Sequence, residues 1–424
     1  MNDTTYDIVV VGAGLAGLAA ASIAAPGRRV ALVDAHQAGG RAVTTERDGF
    51  RLNEGPHALY LGGPAVATLH ELGIRPTGHP PSRHYFARVG DRVHVLPFSA
   101  TGMARTRMLG VRGKARLTSF LQKLSSLRAG NYANQSAAEW SRSLELPADA
   151  EALLMAMVRV STYTHAPEEL SADAAISQIQ RVAANGVIYL DGGWQRLVDA
   201  LGSVATERGV EVQTGRDCIA VRGEWDDHEI VLPDTTLRAR SVIVAVGGPA
   251  AAERLLGVDV GWRNQLGPPA RAACLDLGLT APPRRPVLFG IDRPLYLSMH
   301  APPGDLAPAG RTLVSVAKYV PVDDDAAPAE DRHLLEQHAA IAGIQRRDVV
   351  MQRFLRHMTV ITAIPTYRAG GLPGRPHVAV AHRPGAFVAG DWVGPVGMLA
   401  DATLASAAAA ARAATAHVDG LVRA

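Results

Sequence analysis

The chain of 424 residues is long enough to bury a sizeable core and to divide into two domains. Its composition is 47% hydrophobic and 20% charged with a net charge of +3, and the alanine-rich stretch 399–417 lacks the pattern of a transmembrane helix. The N-terminus has no secretion signal, and the two cysteines form neither a disulfide framework nor a metal spacing, so we expect a cytoplasmic protein without a metal site.

The first predicted elements are a strand, a tight turn and a helix. An apolar run, residues 8–11, leads into the spacing G-x-G-x-x-G, and the turn and first helical residues are Gly12, Gly14, Leu15, Ala16 and Gly17. Gly12 permits the tight turn, Gly14 lets a diphosphate approach the backbone, and Gly17 lets the helix pack closely on the strand. The helix N-terminus is thus predicted to face a pyrophosphate.

A second strand, residues 29–34, ends in an acidic residue. Asp34 stands 22 positions after Gly12, where its carboxylate can accept hydrogen bonds from an adenosine ribose. The same charge repels a 2'-phosphate. The pattern therefore predicts a dinucleotide site.

Two glycine-containing loops follow. Gly39 and Gly40 precede Arg41, whose guanidinium is suited to phosphate or carbonyl oxygens, and a second loop carries Gly55, Pro56 and His57. We expect these loops to pass close to a ligand.

The middle of the chain predicts a mainly helical insertion and then a return to the first unit. Segments 83–97 form a predicted hairpin and helical spacing follows; the predicted helices are 114–128, 148–160 and 172–183. Strands at 209–214 and 241–246 return to the nucleotide fold, the latter ending at Gly247. Short strands at 218–221 and 229–232 predict a small antiparallel sheet laid on the parallel one.

The last third alternates between strands and helices. Residues 271–319 are strand-like, and an acidic loop leads to a helix around 330–344 with Pro328 suited to its first turn. A strand reaches Gly390 and Asp391, and a long helix is predicted over 399–414.

Charge is distributed unevenly. Segment 83–128 holds ten Lys or Arg residues and one acidic residue. This pattern is typical of a solvated face, and the alternative is contact with a membrane surface or an acidic ligand, the membrane contact being placed at 103–128. No aromatic-rich motif for nucleic acid accompanies it.

Four pieces in one order resemble the FAD-dependent amine oxidase and phytoene desaturase superfamily. They are Gly12 to Gly17 with Asp34, Gly39-Gly40-Arg41, Gly192-Gly193-Trp194, and Gly390-Asp391 before a small-residue helix. The resemblance implies an α/β fold with a discontinuous Rossmann-like FAD-binding domain of the glutathione-reductase type (1–62, 188–261 and 377–424). It also implies an inserted α+β substrate-binding domain (63–187 and 262–376).

The resemblance also implies where FAD binds. Asp391 and Gly390 would meet the ribityl or pyrophosphate part, the amides near Gly397 and Met398 would lie beside the flavin carbonyls, and the backbone of Cys218 would meet the adenine. The remaining cofactor-binding set is Gly12, Gly14, Leu15, Ala16, Gly17, Asp34, Gly40, Arg41, Gly55, Pro56, His57 and Gly247.

Two side chains are catalytic candidates. His57 is either a proton carrier or a hydrogen-bonding residue of its loop, and the loop role is favoured. Lys318 is the only plausible match for the lysine that many amine oxidases place near the flavin, but its segment 313–319 favours a surface lysine at a strand end.

The implied reaction is hydride transfer from a small or apolar organic substrate to flavin N5, as in a desaturase or dehydrogenase. Amine oxidation, a redox-neutral isomerisation, and a non-redox escort protein on the same fold are the alternatives. Oxygen or a quinone is the expected electron acceptor.

Overall fold

The computed structural model describes residues 5–324 and 326–423. Within those residues the strands are β1 (Thr5–Val11), β2 (Val30–Asp34), β3 (Thr44–Arg47), β4 (Phe50–Asn53), β5 (Leu59–Tyr60), β6 (Gly78–His79), β7 (Tyr85–Val89), β8 (Arg92–Val95), β9 (Val187–Leu190), β10 (Glu211–Thr214), β11 (Ala220–Glu224), β12 (Asp227–Val231), β13 (Thr236–Val244), β14 (Ala270–Leu279), β15 (Val287–Gly290), β16 (Leu295–Ala301), β17 (Thr312–Val320), β18 (Val349–Ile361) and β19 (Ala386–Val388). The α-helices are α1 (Leu15–Ala24), α2 (Pro64–Glu71), α3 (Ala100–Arg105), α4 (Val111–Leu124), α5 (Ala137–Ser143), α6 (Ala148–Thr162), α7 (Ala172–Asn185), α8 (Gln195–Glu207), α9 (Pro249–Leu256), α10 (Trp262–Gln265), α11 (Pro328–Ile341) and α12 (Leu399–Arg423).

The first sheet has the strand order β10-β2-β1-β13-β12-β11, with β19 also paired to β13. Strands β10, β2, β1, β13 and β19 run parallel. Ile8 and Val10 of β1 pack with the alanines of α1 and α12, whereas Val9 and Val11 pack on the opposite side. Burial on both faces explains the uninterrupted apolar run of β1.

The hairpin β11–β12 continues this sheet. Strand β12 pairs antiparallel with residues 236–239 of β13, and residues 238–244 of β13 pair with β1. The predicted separate sheet laid on the parallel one was therefore wrong. The reason is that β13 is nine residues long. Strand β19 pairs only with residues 242–244 of β13, so residues 236–239 remain available for β12.

The second sheet has the order β18-β14-β17-β16-β15-β7-β8. Its two faces are covered differently. Leu275 and Val316 share a core cluster with Leu335 of α11, whereas Tyr319, on the opposite face of β17, shares one with α6 and α7. The side chains of one strand alternate between these two environments because a strand has a period of two.

The predicted helices are confirmed, with shifts of at most four residues at their ends, except that the last helix extends nine residues beyond its predicted end. The predictions 114–128, 148–160, 172–183, 330–344 and 399–414 correspond to α4, α6, α7, α11 and α12. Pro328 lies in the first turn of α11 as predicted. The described residues contain no helix with the length and hydropathy needed to cross a membrane.

The two sheets draw on different parts of the chain. The first takes its strands from 5–34, 211–244 and 386–388, and the second takes them from 85–95 and 270–361. A small sheet, β5-β9-β6, forms where the chain returns towards the first unit. The domain boundaries at 62, 187, 261 and 376 stay a prediction.

Candidate functional site

The turn between β1 and α1 needs glycine at two positions for steric reasons. Gly12 has a φ of +105°, and a Cβ there would lie 2.5 Å from the carbonyl oxygen of Ala245. A Cβ on Gly17 would lie 1.7 Å from the carbonyl oxygen of Gly12. The absence of a Cβ at these positions lets the turn and α1 lie close to the ends of β1 and β13.

Gly14 differs from Gly12 and Gly17 because a side chain at this position would extend into open space. A Cβ there would meet no atom within 4 Å. Gly14 forms a β-bridge with Gly39, and a Cβ on Gly40 would lie 3.7 Å from the Cα of Gly14. The two glycine loops therefore lie side by side with open space over Gly14.

Helix α1 begins at this opening. The N–H groups of its first turn, at Leu15, Ala16 and Gly17, have no acceptor within the helix, and the helix dipole makes this end partly positive. We call Gly12, Gly14 and these N–H groups the glycine cradle. A pyrophosphate supplies both the negative charge and the acceptor oxygens that the cradle lacks. The cradle thus fits the FAD that the sequence resemblance implies.

Asp34 is fixed at the end of β2 by two backbone donors. The Ala13 N–H donates to one carboxylate oxygen at 2.6 Å and the His36 N–H to the other at 2.7 Å. Each oxygen retains a lone pair for a ribose hydroxyl. The structure thus places Asp34 beside the cradle.

Cys218 lies at the same edge of the sheet, in the loop after β10, which pairs with β2. Its thiol is buried. Burial raises the pKa of the Cys218 thiol to about 12, so the group is a neutral thiol at physiological pH. A backbone contact to adenine by Cys218 stays a prediction.

Arg41 and Asp391 join the N-terminal and C-terminal parts of the site. Arg41 Nη1 donates to Asp391 Oδ2 at 3.0 Å and to the Val360 carbonyl at 3.0 Å. Thr362 donates its N–H to Asp391 Oδ2 at 3.0 Å and its hydroxyl to Oδ1 at 2.5 Å. Burial opposes ionisation of Asp391, but Arg41 and Thr362 outweigh it and hold the pKa of this carboxyl below its usual range.

The loop from Asp391 to Gly397 leads into α12. Gly397 has a φ of +69°, and Met398 beside it is buried. Arg375 donates to the Asp391 carbonyl at 3.1 Å and to the Gly397 carbonyl at 2.9 Å. Sequence reasoning missed Arg375, because backbone carbonyl partners leave no signal in the sequence.

The loop containing Gly55, Pro56 and His57 lies against the second sheet. Gly55 has a φ of +86°, which favours glycine, and a Cβ there would lie 2.4 Å from Met358 Cε and 3.2 Å from Cys274 Sγ. The Nδ1 of His57 lies 3.0 Å from the Gly55 carbonyl. Burial lowers the pKa of His57, which favours a neutral ring that donates from Nδ1 within its own loop.

Gly247 and Gly248 follow β13, and the second is the more constrained. A Cβ on Gly247 would have only the Ala251 Cβ nearby, at 3.9 Å. Gly248 has a φ of +153°, and a Cβ there would lie 3.1 Å from Cβ of Thr362, the residue that binds Asp391. A cofactor contact by Gly247 stays a prediction.

Lys318 was predicted as a surface lysine at a strand end, and this was wrong. The side chain is buried and donates to Asp324 at 2.8 Å and to Asp331 at 2.6 Å. Burial opposes its charge, but the two carboxylates outweigh burial and raise the pKa of Lys318. Asp331 belongs to α11, so Lys318 lies on the sheet face opposite to Tyr319.

The structure brings the predicted nucleotide residues together and leaves one catalytic candidate apart. The glycine cradle, Asp34, Arg41 and Asp391 gather at the carboxyl ends of the parallel strands, where ligands bind in open α/β sheets. The Gly55 loop faces the second sheet. Lys318 lies on the far side of that sheet.

Comparisons with known proteins agree with this architecture. The family model of the flavin-containing amine oxidoreductases matches residues 15–414. No curated protein matches the chain.

Solved structures share the fold over almost the whole chain. An oxidoreductase from Methanosarcina mazei has 19% identity and a TM-score of 0.75, covering 95% of this chain and 99% of that one. Putrescine oxidase bound to putrescine has 15% identity and a TM-score of 0.73, covering 99% of this chain and 100% of that one. Cyclohexylamine oxidase from Brevibacterium oxydans IH-35A has 15% identity and a TM-score of 0.72, with 99% and 100% covered.

These similarities confirm the α/β flavoprotein fold and the recognition made from the four sequence pieces. They also decide against the non-redox alternative, because the matched family consists of oxidoreductases. The chain is an FAD-dependent oxidoreductase and belongs to the flavin-containing amine oxidoreductase family.

Proposed function

We propose that this enzyme removes a hydride from carbon in an uncharged organic substrate, as a dehydrogenase or desaturase does. The observation that carries the proposal is the position of Lys318, which is held by two carboxylates on the α11 side of the second sheet. The other lysines of the sequence, Lys114 and Lys123, belong to α4. Lys123 is exposed and Lys114 donates to the carbonyl of Ala104, so neither lysine of α4 enters the buried face beside the Gly55 loop.

On that side of the sheet the charged groups beside Cys274, Asp276 and Arg353, form an ion pair at 2.8 Å, and three further buried groups favour an uncharged substrate. Cys274 lies next to the Gly55 loop, and His300 and Tyr319 lie on the same buried face. Burial raises the pKa of Cys274 and Tyr319 well above their usual ranges and lowers the pKa of His300 to about 3. All three groups are therefore neutral at pH 7.

The chain's own residues bind and orient in this proposal. When bound, FAD supplies the two-electron acceptor for the hydride. The glycine cradle and Asp34 hold the nucleotide end, and Arg41 with Asp391 joins the two halves of the site. The buried face of the second sheet excludes water from the substrate.

Amine oxidation is the second candidate. It is supported by two of the solved structures with the same fold, which are described as putrescine oxidase and cyclohexylamine oxidase. It requires that the amine be oxidised without a lysine beside the reacting carbon.

Anaerobic bleaching of the flavin by candidate substrates distinguishes the two. We expect polyenes or cyclic alkyl compounds to bleach the holoenzyme, and amines of matched size to leave it oxidised. The flavin of the K318M variant should be bleached at a rate within about twofold of wild type, since Lys318 is remote from the proposed substrate side of the sheet. K318R, which keeps the charge, controls for loss of stability.

The opposite results would overturn the proposal. Bleaching by amines alone, or a many-fold loss of bleaching in K318M but not in K318R at equal FAD content, indicates lysine-dependent amine oxidation. Bleaching that reverses without any acceptor indicates the redox-neutral isomerisation.

The partners of the reaction belong to the proposal as well. We expect oxygen or a quinone to reoxidise the reduced enzyme, and stopped-flow mixing with each acceptor compares their rates. The basic segment 103–128 supports contact with an anionic membrane surface, since Arg112 and Lys123 are exposed and Val111 is 89% exposed.

A further inference from the structure

Arg375 spans the loop that precedes the last helix. Its two terminal nitrogens bind the carbonyls of Asp391 and Gly397, which are the first and last residues of that loop. The side chain is 5% exposed. A single guanidinium thus fixes both ends of the loop from inside the protein.

Burying an arginine without a carboxylate partner costs folding free energy, which suggests that its charge has a role. Within the described part of the chain, no carboxylate forms an ion pair with Arg375. The nearest acids are Asp391 and Asp173. Asp391 is already paired with Arg41, and Asp173 accepts from Ser171, Ala174 and Leu372.

Arg375 remains a cation in this environment. Burial lowers the pKa of its guanidinium to about 10, and Asp391 and Asp173 act in the opposite direction. At pH 7 the group is therefore charged. Arg41 and Asp391 form an ion pair with each other, so Arg375 is a further cation beside this pair, with Asp173 as the other acid near it.

The loop from Asp391 to Gly397 lies between the glycine cradle and the second sheet. Its first residue, Asp391, contacts Arg41, which follows Gly40 beside the cradle. Asp391 also binds Thr362 at the end of β18, a strand of the second sheet. A flavin joined to a diphosphate over Gly14 would therefore lie close to this loop.

The start of α12 adds to the positive potential. Gly397 immediately precedes Met398 and the first residue of this helix, Leu399. The unpaired N–H groups of a helix N-terminus act as a partial positive charge. A group that gains negative charge during the reaction is stabilised most by charges that are already fixed in place.

We infer that Arg375 is a positioning residue for the flavin, which holds the loop from Asp391 to Gly397 and supplies the fixed positive charge that stabilises the reduced cofactor. The inference rests on the FAD-site residues of the proposed function. It assigns to Arg375 an effect on the redox equilibrium and not only on folding.

The test is the two-electron midpoint potential of the flavin in the purified holoenzyme, measured without substrate. In R375M we expect reduced FAD to bind at least tenfold more weakly relative to oxidised FAD, which lowers the midpoint potential by at least about 30 mV. R375K keeps the charge and should remain much closer to wild type. R368M, at an exposed arginine of the same segment, should leave the potential unchanged.

A purely structural role predicts another pattern. In that case R375M and R375K lose FAD affinity and thermal stability while the bound flavin keeps its wild-type potential, and this result overturns the inference. If R375M does not retain FAD, R375Q, which keeps two N–H donors without the charge, gives the same comparison. Because no substrate is present, an unchanged potential in FAD-loaded R375Q refutes only this inference, whereas wild-type protein that binds no FAD refutes the proposed site itself.

Discussion

The Arg41 guanidinium lies 3.0 Å from the Asp391 carboxylate, although 350 residues separate the two in the chain. The pair connects the loop beside the β1–α1 turn to the loop that begins the last helix. Thr362 completes the contact by donating both its N–H and its hydroxyl to Asp391. The cofactor site therefore depends on contacts between the two ends of the sequence.

Replacing Asp391 by asparagine should weaken FAD binding about tenfold or more. The substitution removes the charge that Arg41 and Thr362 bind, and hydrogen bonds to a charged group contribute about 1.5–3 kcal/mol. Titration of apoprotein with FAD, followed by flavin fluorescence, measures the change. E71Q removes one partner of the exposed Glu71–Arg412 pair and is the control; equal affinities for D391N and E71Q would contradict the expectation.

Alanine at Gly14 and at Gly17 should have opposite effects. Gly14 has a φ of −76° and open space where its Cβ would lie, so G14A should fold with nearly wild-type stability and bind FAD poorly. At Gly17 a Cβ would lie 1.7 Å from the Gly12 carbonyl oxygen, so G17A should destabilise the protein by about 2–4 kcal/mol. Thermal unfolding of the apoproteins and FAD titration separate the two effects; normal FAD affinity in G14A would argue against the cradle.

The nucleotide turn could be predicted because its causes are local. Gly12 has a φ of +105°, Gly17 meets the Gly12 carbonyl that the strand-turn-helix geometry alone brings close, and Asp34 follows from the end of the next strand. The hairpin β11–β12 was recognised as strands, but its place was missed. That place depends on how far β13 extends, which local patterns do not reveal.

Residues whose partners are distant in sequence could not be predicted. Arg375 binds carbonyl groups 16 and 22 residues away, and any residue type can offer a carbonyl. Lys318 was expected at the surface because lysine is rarely buried. The packing of α11 on the second sheet brings Asp331 within 2.6 Å and makes its burial tolerable.

His300 should make the protein less stable as the pH falls. Burial lowers its pKa to about 3, whereas an unfolded histidine titrates near 6.5. Between these values the unfolded state binds the extra proton, so stability decreases with falling pH by up to about 1.4 kcal/mol per unit. Urea unfolding of wild type and H300Q from pH 7.5 to 5 should show a shallower decline in the variant. H333Q, at an exposed histidine of α11, is the control, and parallel curves for wild type and H300Q would refute the assignment.

The basic segment 103–128 should bind anionic vesicles. Each Lys or Arg near an anionic surface contributes about 1 kcal/mol, so the double charge reversal R112E/K123E should reduce vesicle binding at least tenfold. Sedimentation with phosphatidylcholine vesicles, with and without phosphatidylserine, measures this at constant salt. R254E/R311E makes the same change in net charge at two exposed arginines elsewhere and should retain binding. If both double variants lose binding equally, the attraction is a property of net charge and not of this segment; if wild type binds neither vesicle, the segment is a solvated face.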